Sequence, residues 1–167
     1  MARIAQGIQI STDSGTTWYK LSDHNRQPIN ISYEIIESSQ RMANGLMRKY
    51  VVAKKLKVSA DWQNFPSLDT NLVDYATNVK GGAWIKAFYE SNLFQPIQVK
   101  LIFANEAIPA TSTIPVDATY TDAYNSQSQI FNAYITSFTY DIDKRIRASQ
   151  SGAGIDYVSI KMEFTEI

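Results

Sequence analysis

The chain has 167 residues, 44% hydrophobic and 19% charged, which suits one globular domain with a real core and leaves no room for two. Sixteen basic and sixteen acidic residues cancel, so no global field draws the chain to nucleic acid or to an anionic membrane. The absence of cysteine excludes disulfides, thiolate metal sites and cysteine nucleophiles, and a lone His24 excludes multi-histidine metal sites. No apolar run approaches the roughly 18 residues of a membrane-spanning helix. Met1-Ala2-Arg3-Ile4 opens without a signal-peptide apolar run, so the expectation is a protein made in a cytoplasm and not exported by that route.

Residues 4–10 and 16–21 predict two short strands joined at Asp13-Ser14-Gly15. The stretch from Ser11 to Trp18 fits the Asp-box pattern Ser-x-Asp-x-Gly-x-Thr-Trp. Its physics is local: the carboxylate caps the turn backbone, glycine takes a positive φ, and tryptophan packs behind the hairpin. In sialidase-like propellers the box recurs; here it occurs once, in a chain too short for a propeller, so it reads as a structural hairpin. Residues 22–28, with Asp23-His24-Asn25, read as a polar loop with His24 exposed.

Residues 29–62 read as one long hairpin. Asn44-Gly45 predicts a two-residue type I′ turn, since both positions need positive φ. That turn pairs Met42 with Met47, Arg41 with Arg48, Glu34 with Lys55, Tyr33 with Leu56 and Ile31 with Val58. Near the base, Ile29, Ile31, Tyr33, Ile35, Leu56, Val58 and Ala60 share one face, and polar residues hold the other. Beyond Ile35-Ile36 the pattern reverses: Glu37, Ser39, Arg41, Arg48 and Tyr50 take the first face, and Ile36, Met42, Met47, Val51 and Ala53 the second. An arm of about 14 residues spans roughly 45 Å, against a diameter of about 40 Å for a compact chain of this length. The outer half is therefore expected to pack on something other than its own core. Arg41 facing Arg48 is unfavourable without an acidic group between them, which another subunit would supply. Arg48, Lys49, Lys54, Lys55 and Lys57 give the arm a basic cast, but only Tyr50 is interleaved for base stacking, so a solvated face is the better reading.

Asn64-Phe65-Pro66-Ser67 reads as a breaker. Asp69 is placed as the cap of a helical segment through Leu72, Val73, Tyr75, Ala76 and Val79, interrupted at Gly81-Gly82. The helical pattern resumes over residues 83–92 with Trp84, Ile85, Phe88 and Tyr89 on one stripe. A strand over residues 97–103 follows. Residues 105–129 form a long segment of small and polar residues with no clear period, of the kind a partner orders. Strands over residues 130–142 and 155–167 close the chain, the first with Tyr134, Thr136, Phe138, Tyr140 and Ile142 on one face. The carboxylates, Asp69, Asp74, Asp117, Asp122, Asp141, Asp143 and Asp156 among them, form no pair distinguished by context, and no phosphate-cradling loop or nucleophile elbow occurs. No catalytic residue, cofactor or metal site is expected. The fold class expected is mainly β: two packed antiparallel sheets, sandwich- or barrel-like, with one flanking helix and a long protruding β-hairpin.

The stretch from Arg41 to Pro66 carries Asn44-Gly45, then Arg48-Lys49-Tyr50, then a lysine-rich strand ending in Ser59-Ala60-Asp61-Trp62 and Pro66. It resembles a run found in tail tube (major tail) proteins of long-tailed bacteriophages. The runs Tyr134-Ile135-Thr136-Ser137-Phe138 and Phe164-Thr165-Glu166 are also similar, and the resemblance covers about a third of the chain. It implies a two-sheet β fold with a flanking helix. It also implies subunits that close into rings, hexameric in that family, which stack into a tube through which the genome passes. Contractile injection systems share that fold. The expected partners are copies of the chain itself and other tail proteins such as tape measure, terminator and distal components. DNA is only transiting cargo, no membrane binding is implied, and the location is the virion tail. The expected self-assembly surface comprises Ile36, Arg41, Met42, Met47, Arg48 and Val51 on the hairpin, and Pro109, Pro115, Tyr120 and Tyr124 in the long segment. The alternative is a tail-tip or adhesin-type β-sandwich that binds carbohydrate or a host surface, with Trp18, Tyr120 and Tyr124 as a sugar platform.

Overall fold

A computed structural model describes residues 7–68, 79–103, 119–121, 127–147 and 154–167. In chain order the elements are β1 (Gly7–Ser11), β2 (Tyr19–Leu21), β3 (Asn30–Arg41), β4 (Met47–Pro66), β5 (Val79–Lys80), α1 (Gly82–Ser91), β6 (Ile97–Phe103), β7 (Thr119–Thr121), β8 (Gln127–Arg147) and β9 (Gly154–Glu166). The nine strands form one sheet in the order β3-β4-β9-β8-β6-β1-β2-β5, with β7 added against β8. Every pairing is antiparallel except that of β2 with β5.

The mainly β class with one helix holds among the described residues; the expected pair of packed sheets does not. One open sheet takes their place, and its registers show how a single sheet encloses a core. Ile31 faces Val58, Val58 faces Phe164, Phe164 faces Ile135, Val99 faces Phe131, and Ile10 faces Val99, so all these side chains leave the same face. Residues from β1, β2, β4, β6, β8 and β9 meet in one buried cluster, which a flat sheet of this width does not allow. The curl has local causes. Extra residues bulge from β8 at Thr136 and Asp143 and from β4 between Trp62 and Phe65, and bulges increase twist. Asp143 accepts hydrogen bonds from the Ser159 hydroxyl at 2.7 Å and the Asn64 amide at 3.4 Å, tying β8, β9 and β4 together at one level. The far side of the sheet returns to β4 through the segment after β2: Gln27 N–H donates to Asp61 O, Gln63 N–H to Asn25 O, and the Trp62 indole N–H to Ser22 O at 2.7 Å.

Helix α1 covers the concave face. Tyr89 stacks on Phe138 with centroids 4.3 Å apart, Trp84 meets Tyr19 at 4.8 Å, and Ile85 and Phe88 are buried. The stripe expected for this helix is thus its packing face. Gly82 is required by contact: a Cβ there would stand 2.7 Å from Val158 Cγ2.

Other expectations need correction. The breaker at residues 64–67 does not end β4, because Asn64 takes φ 50° within the bulge and Phe65 and Pro66 rejoin the ladder with Val158 and Tyr157. Val79, assigned to a helical stripe, lies in β5 beside Lys20; the rest of that segment, from Asp69 to Ala76, lies outside the described residues. Tyr134 does not share a face with Phe138, because the extra residue Thr136 reverses the alternation and leaves Tyr134 41% exposed. The end of the long unpatterned segment is regular: β7 pairs with the first residues of β8.

Candidate functional site: the β3–β4 arm

Strand β4 pairs with β9 only from Lys57 inwards, and at that point the sheet is terminated by side chains. The Glu166 carboxylate accepts the Leu56 amide at 2.7 Å, and the Lys55 ammonium meets the Ile167 carbonyl. Beyond this root, residues 33–56 form a two-stranded ribbon with no other strand beside it among the described residues. Nine residues of β3 from Tyr33 outwards reach about 30 Å. All twelve residues of β3 are exposed. Among the described residues, nine of the seventeen exposed large hydrophobic side chains lie on this arm, namely Tyr33, Ile35, Ile36, Met42, Leu46, Met47, Tyr50, Val51 and Val52, and a tenth, Ile31, lies at its root. Ile31, Tyr33 and Ile35, expected to be half-buried at the base, are exposed. They continue the apolar concave face onto an edge strand that none of the described residues covers, while Ile29 still packs on the core.

The register of the arm agrees with expectation at its base and departs from it at its tip. Ile31 faces Val58, Tyr33 faces Leu56 and Glu34 faces Lys55, as the sequence predicts. The turn is not the two-residue type. Met42 N–H donates to Leu46 O and Gly45 N–H to Met42 O, so Ala43, Asn44 and Gly45 form a three-residue loop in which Gly45 alone has positive φ, at 82°. The Asn44 side-chain oxygen accepts the Leu46 amide at 3.1 Å. Arg41 therefore faces Met47, Gln40 faces Arg48, and Met42 does not face Met47. The one-residue difference is absorbed lower down, where Ile36 faces Ala53 and Glu37 faces Val51, leaving Val52 as the extra residue of a bulge. This register removes the Arg41–Arg48 conflict within the chain, and it sets Lys49 in a 2.5 Å ion pair with Glu37.

Ile36, Arg41, Met42, Met47, Arg48 and Val51 thus lie on one exposed arm, on both of its faces. Tyr120 lies in β7, with its backbone opposite Ser128; Pro109, Pro115 and Tyr124 lie outside the described residues. Sequence reasoning missed Leu46 and Val52, which the three-residue loop and the bulge expose, and Phe94, the most exposed large hydrophobic among the described residues at 87%. Two apolar residues, Leu93 and Phe94, inside the polar turn after α1 are the signal that could have found the last.

The Asp-box turn is built as its pattern requires. The Asp13 carboxylate accepts the Ser11 hydroxyl at 2.6 Å and the Thr17 amide at 2.8 Å, and Ser11 Oγ accepts the Gly15 amide at 3.1 Å. These donors, the Ser11 hydroxyl first, hold the Asp13 carboxyl down at about 2. The Trp18 ring packs against the position of Gly15 and lies 4.2 Å from the Lys100 ammonium, so one face of the supposed sugar platform is already taken. Among the described residues no three His, Asp or Glu side chains are grouped to hold a metal ion, and no helix is long and apolar enough to cross a membrane. In comparisons with known proteins, the chain matches no family model and no curated protein sequence.

Proposed function

We propose that the chain is a structural subunit that associates with copies of itself through the β3–β4 arm, as the subunit of a phage tail tube does: stacked rings, six-fold in that family, around a conduit for the genome. The observation that carries this reading is the concentration of exposed apolar side chains on a ribbon standing clear of its own core. An isolated two-stranded ribbon is marginal in water, and so many exposed apolar side chains gathered on one element mark an interaction site. Among the described residues β3 is a long edge strand, and such an edge offers backbone groups that a monomer ordinarily blunts. A carbohydrate-binding module draws no support from Trp18, whose ring serves the Asp-box turn and Lys100.

The test is electron microscopy and sedimentation of the purified chain over a range of concentrations. The expected result is rings or tubes. Met42→Asp combined with Met47→Asp, at two exposed positions, is expected to give a folded monomer, since an unpaired charge buried in an apolar contact costs several kcal/mol and a ring repeats that cost at each interface. A wild-type chain that stays monomeric at all concentrations overturns the reading.

A further inference from the structure

The base of the arm is compatible with two different tips. In the structure, the three-residue loop shifts the outer strands by one residue and the bulge at Val52 shifts them back, so Ile36 meets Ala53. A two-residue Asn44-Gly45 turn with no bulge gives the same pairing of Ile36 with Ala53. Loop and bulge each absorb one residue and cancel. The loop residues 43–45 and the pairing of residues 46–52 are all that differ between the two arrangements. Asn-Gly is the preferred pair for the two-residue turn, and a glycine after a two-residue turn segment is preferred for the three-residue loop.

The two tips present different surfaces, because a slip of one residue turns every side chain to the opposite face. In the observed register Met47 shares a face with Arg41, while Ile36 and Met42 lie on the other. In the alternative register Ile36, Met42, Met47 and Val51 gather on one face. That apolar row comes at an electrostatic cost: Arg41 then faces Arg48, and Lys49 leaves Glu37. In a free chain those charges favour the observed register. A partner that covers the apolar row and supplies carboxylates favours the other.

We propose that the arm is a two-register switch: the free chain holds the loop-and-bulge form, and docking on a second copy slips the outer part of β4 into the bulge-free form. The choice of a second copy rests on the self-assembly reading above and on charge. Residues 30–55 carry five basic and two acidic residues, a net +3, so in a chain of net zero the remainder carries −3. The arm of one copy meets in the body of the next the acidic surplus that the Arg41–Arg48 pair needs. The switch keeps the apolar row dispersed until that body is present.

The chain has no cysteine, so introduced pairs report register directly. Arg41→Cys with Met47→Cys places two thiols opposite each other in the observed register and on opposite faces in the other. Met42→Cys with Met47→Cys does the reverse. Under mild oxidation the first pair is expected to close in monomers and the second in assemblies, each at least tenfold faster than its counterpart. Ala43→Pro gives a second readout: proline suits the observed loop but removes the amide that the two-residue turn needs. This variant is expected to fold with unchanged circular dichroism and to remain monomeric. Assemblies in which position 47 still closes with position 41, or normal assembly of Ala43→Pro, overturn the switch and leave the self-assembly reading standing. A wild-type chain that never assembles overturns both.

Discussion

At Asp13 a single carboxylate organises a turn through the Ser11 hydroxyl and the Thr17 amide, and its pKa falls from 3.8 to about 2. A pKa lower in the folded than in the unfolded chain stabilises the fold at pH values above the unfolded pKa. That stabilisation is lost as the pH falls through the folded value. Asp13→Ala is therefore expected to lower the melting temperature at pH 7, and its difference from wild type should shrink between about pH 4 and pH 2. Melting curves across that range check this; a constant difference would show that the lost carboxylate matters for packing alone. Gly82 tests packing against propensity. Alanine is the better helix former by about 1 kcal/mol, but its Cβ would stand 2.7 Å from a methyl of Val158, a β-branched and fully buried residue. Overpacking costs about 1–3 kcal/mol, so Gly82→Ala is expected to destabilise in chemical denaturation despite its helix propensity.

At the scale of elements, what could be read in the sequence was what periodicity governs. The stripe of α1, the span of β6 and the base register of the arm follow from apolar spacing, because burial on one face forces the alternation. Bulges are the main reason that the rest could not be read. Thr136, Asp143 and Val52 have nothing in their side chains that separates a bulge from a paired position, and each reverses the faces beyond it. The reversal of apolar character at Ile36 was visible and falls where the bulge lies, but it was attributed to a change of environment along a regular strand. The tip differs for a related reason: Asn44-Gly45 fits two loops, and the clash of Arg41 with Arg48, which the two-residue turn leaves to an acidic group of another subunit, is relieved within the chain by the three-residue loop. Deleting Val52 removes the extra residue and lets the three-residue loop run into the base register without a bulge. The amides of Val51 and Ala53 are then expected to exchange at least tenfold more slowly in the monomer. Unchanged exchange would mean that the bulge leaves the ladder around it intact.

For the whole molecule, a sandwich was expected because strands with one apolar face were assumed to need a second sheet opposite. The single sheet meets that need by curling until the segment after β2 reaches β4, with α1 over the opening. The concave apolar face runs on past this enclosure to Ile31 and Ile35 on β3. Ile31→Lys with Ile35→Lys is expected to change monomer stability by no more than about 0.5 kcal/mol, as exposed positions do, and to abolish rings. Sedimentation together with chemical denaturation separates the two effects; a large loss of stability would place these side chains in the monomer's own core.

The pairing of β4 with β9 also sets an order of events. Lys57 and Thr165 are neighbours in the ladder though 108 positions apart in the chain. While a ribosome is still making the intervening residues, the arm can zip as a local hairpin, on the order of microseconds, with its sticky surface already displayed. The strand that anchors its root arrives seconds later, at about 5–20 residues per second. During that interval neighbouring nascent chains on one message hold exposed arms and no finished bodies. A tip that keeps its apolar row dispersed until a finished body is present would thus protect synthesis as well as timing assembly.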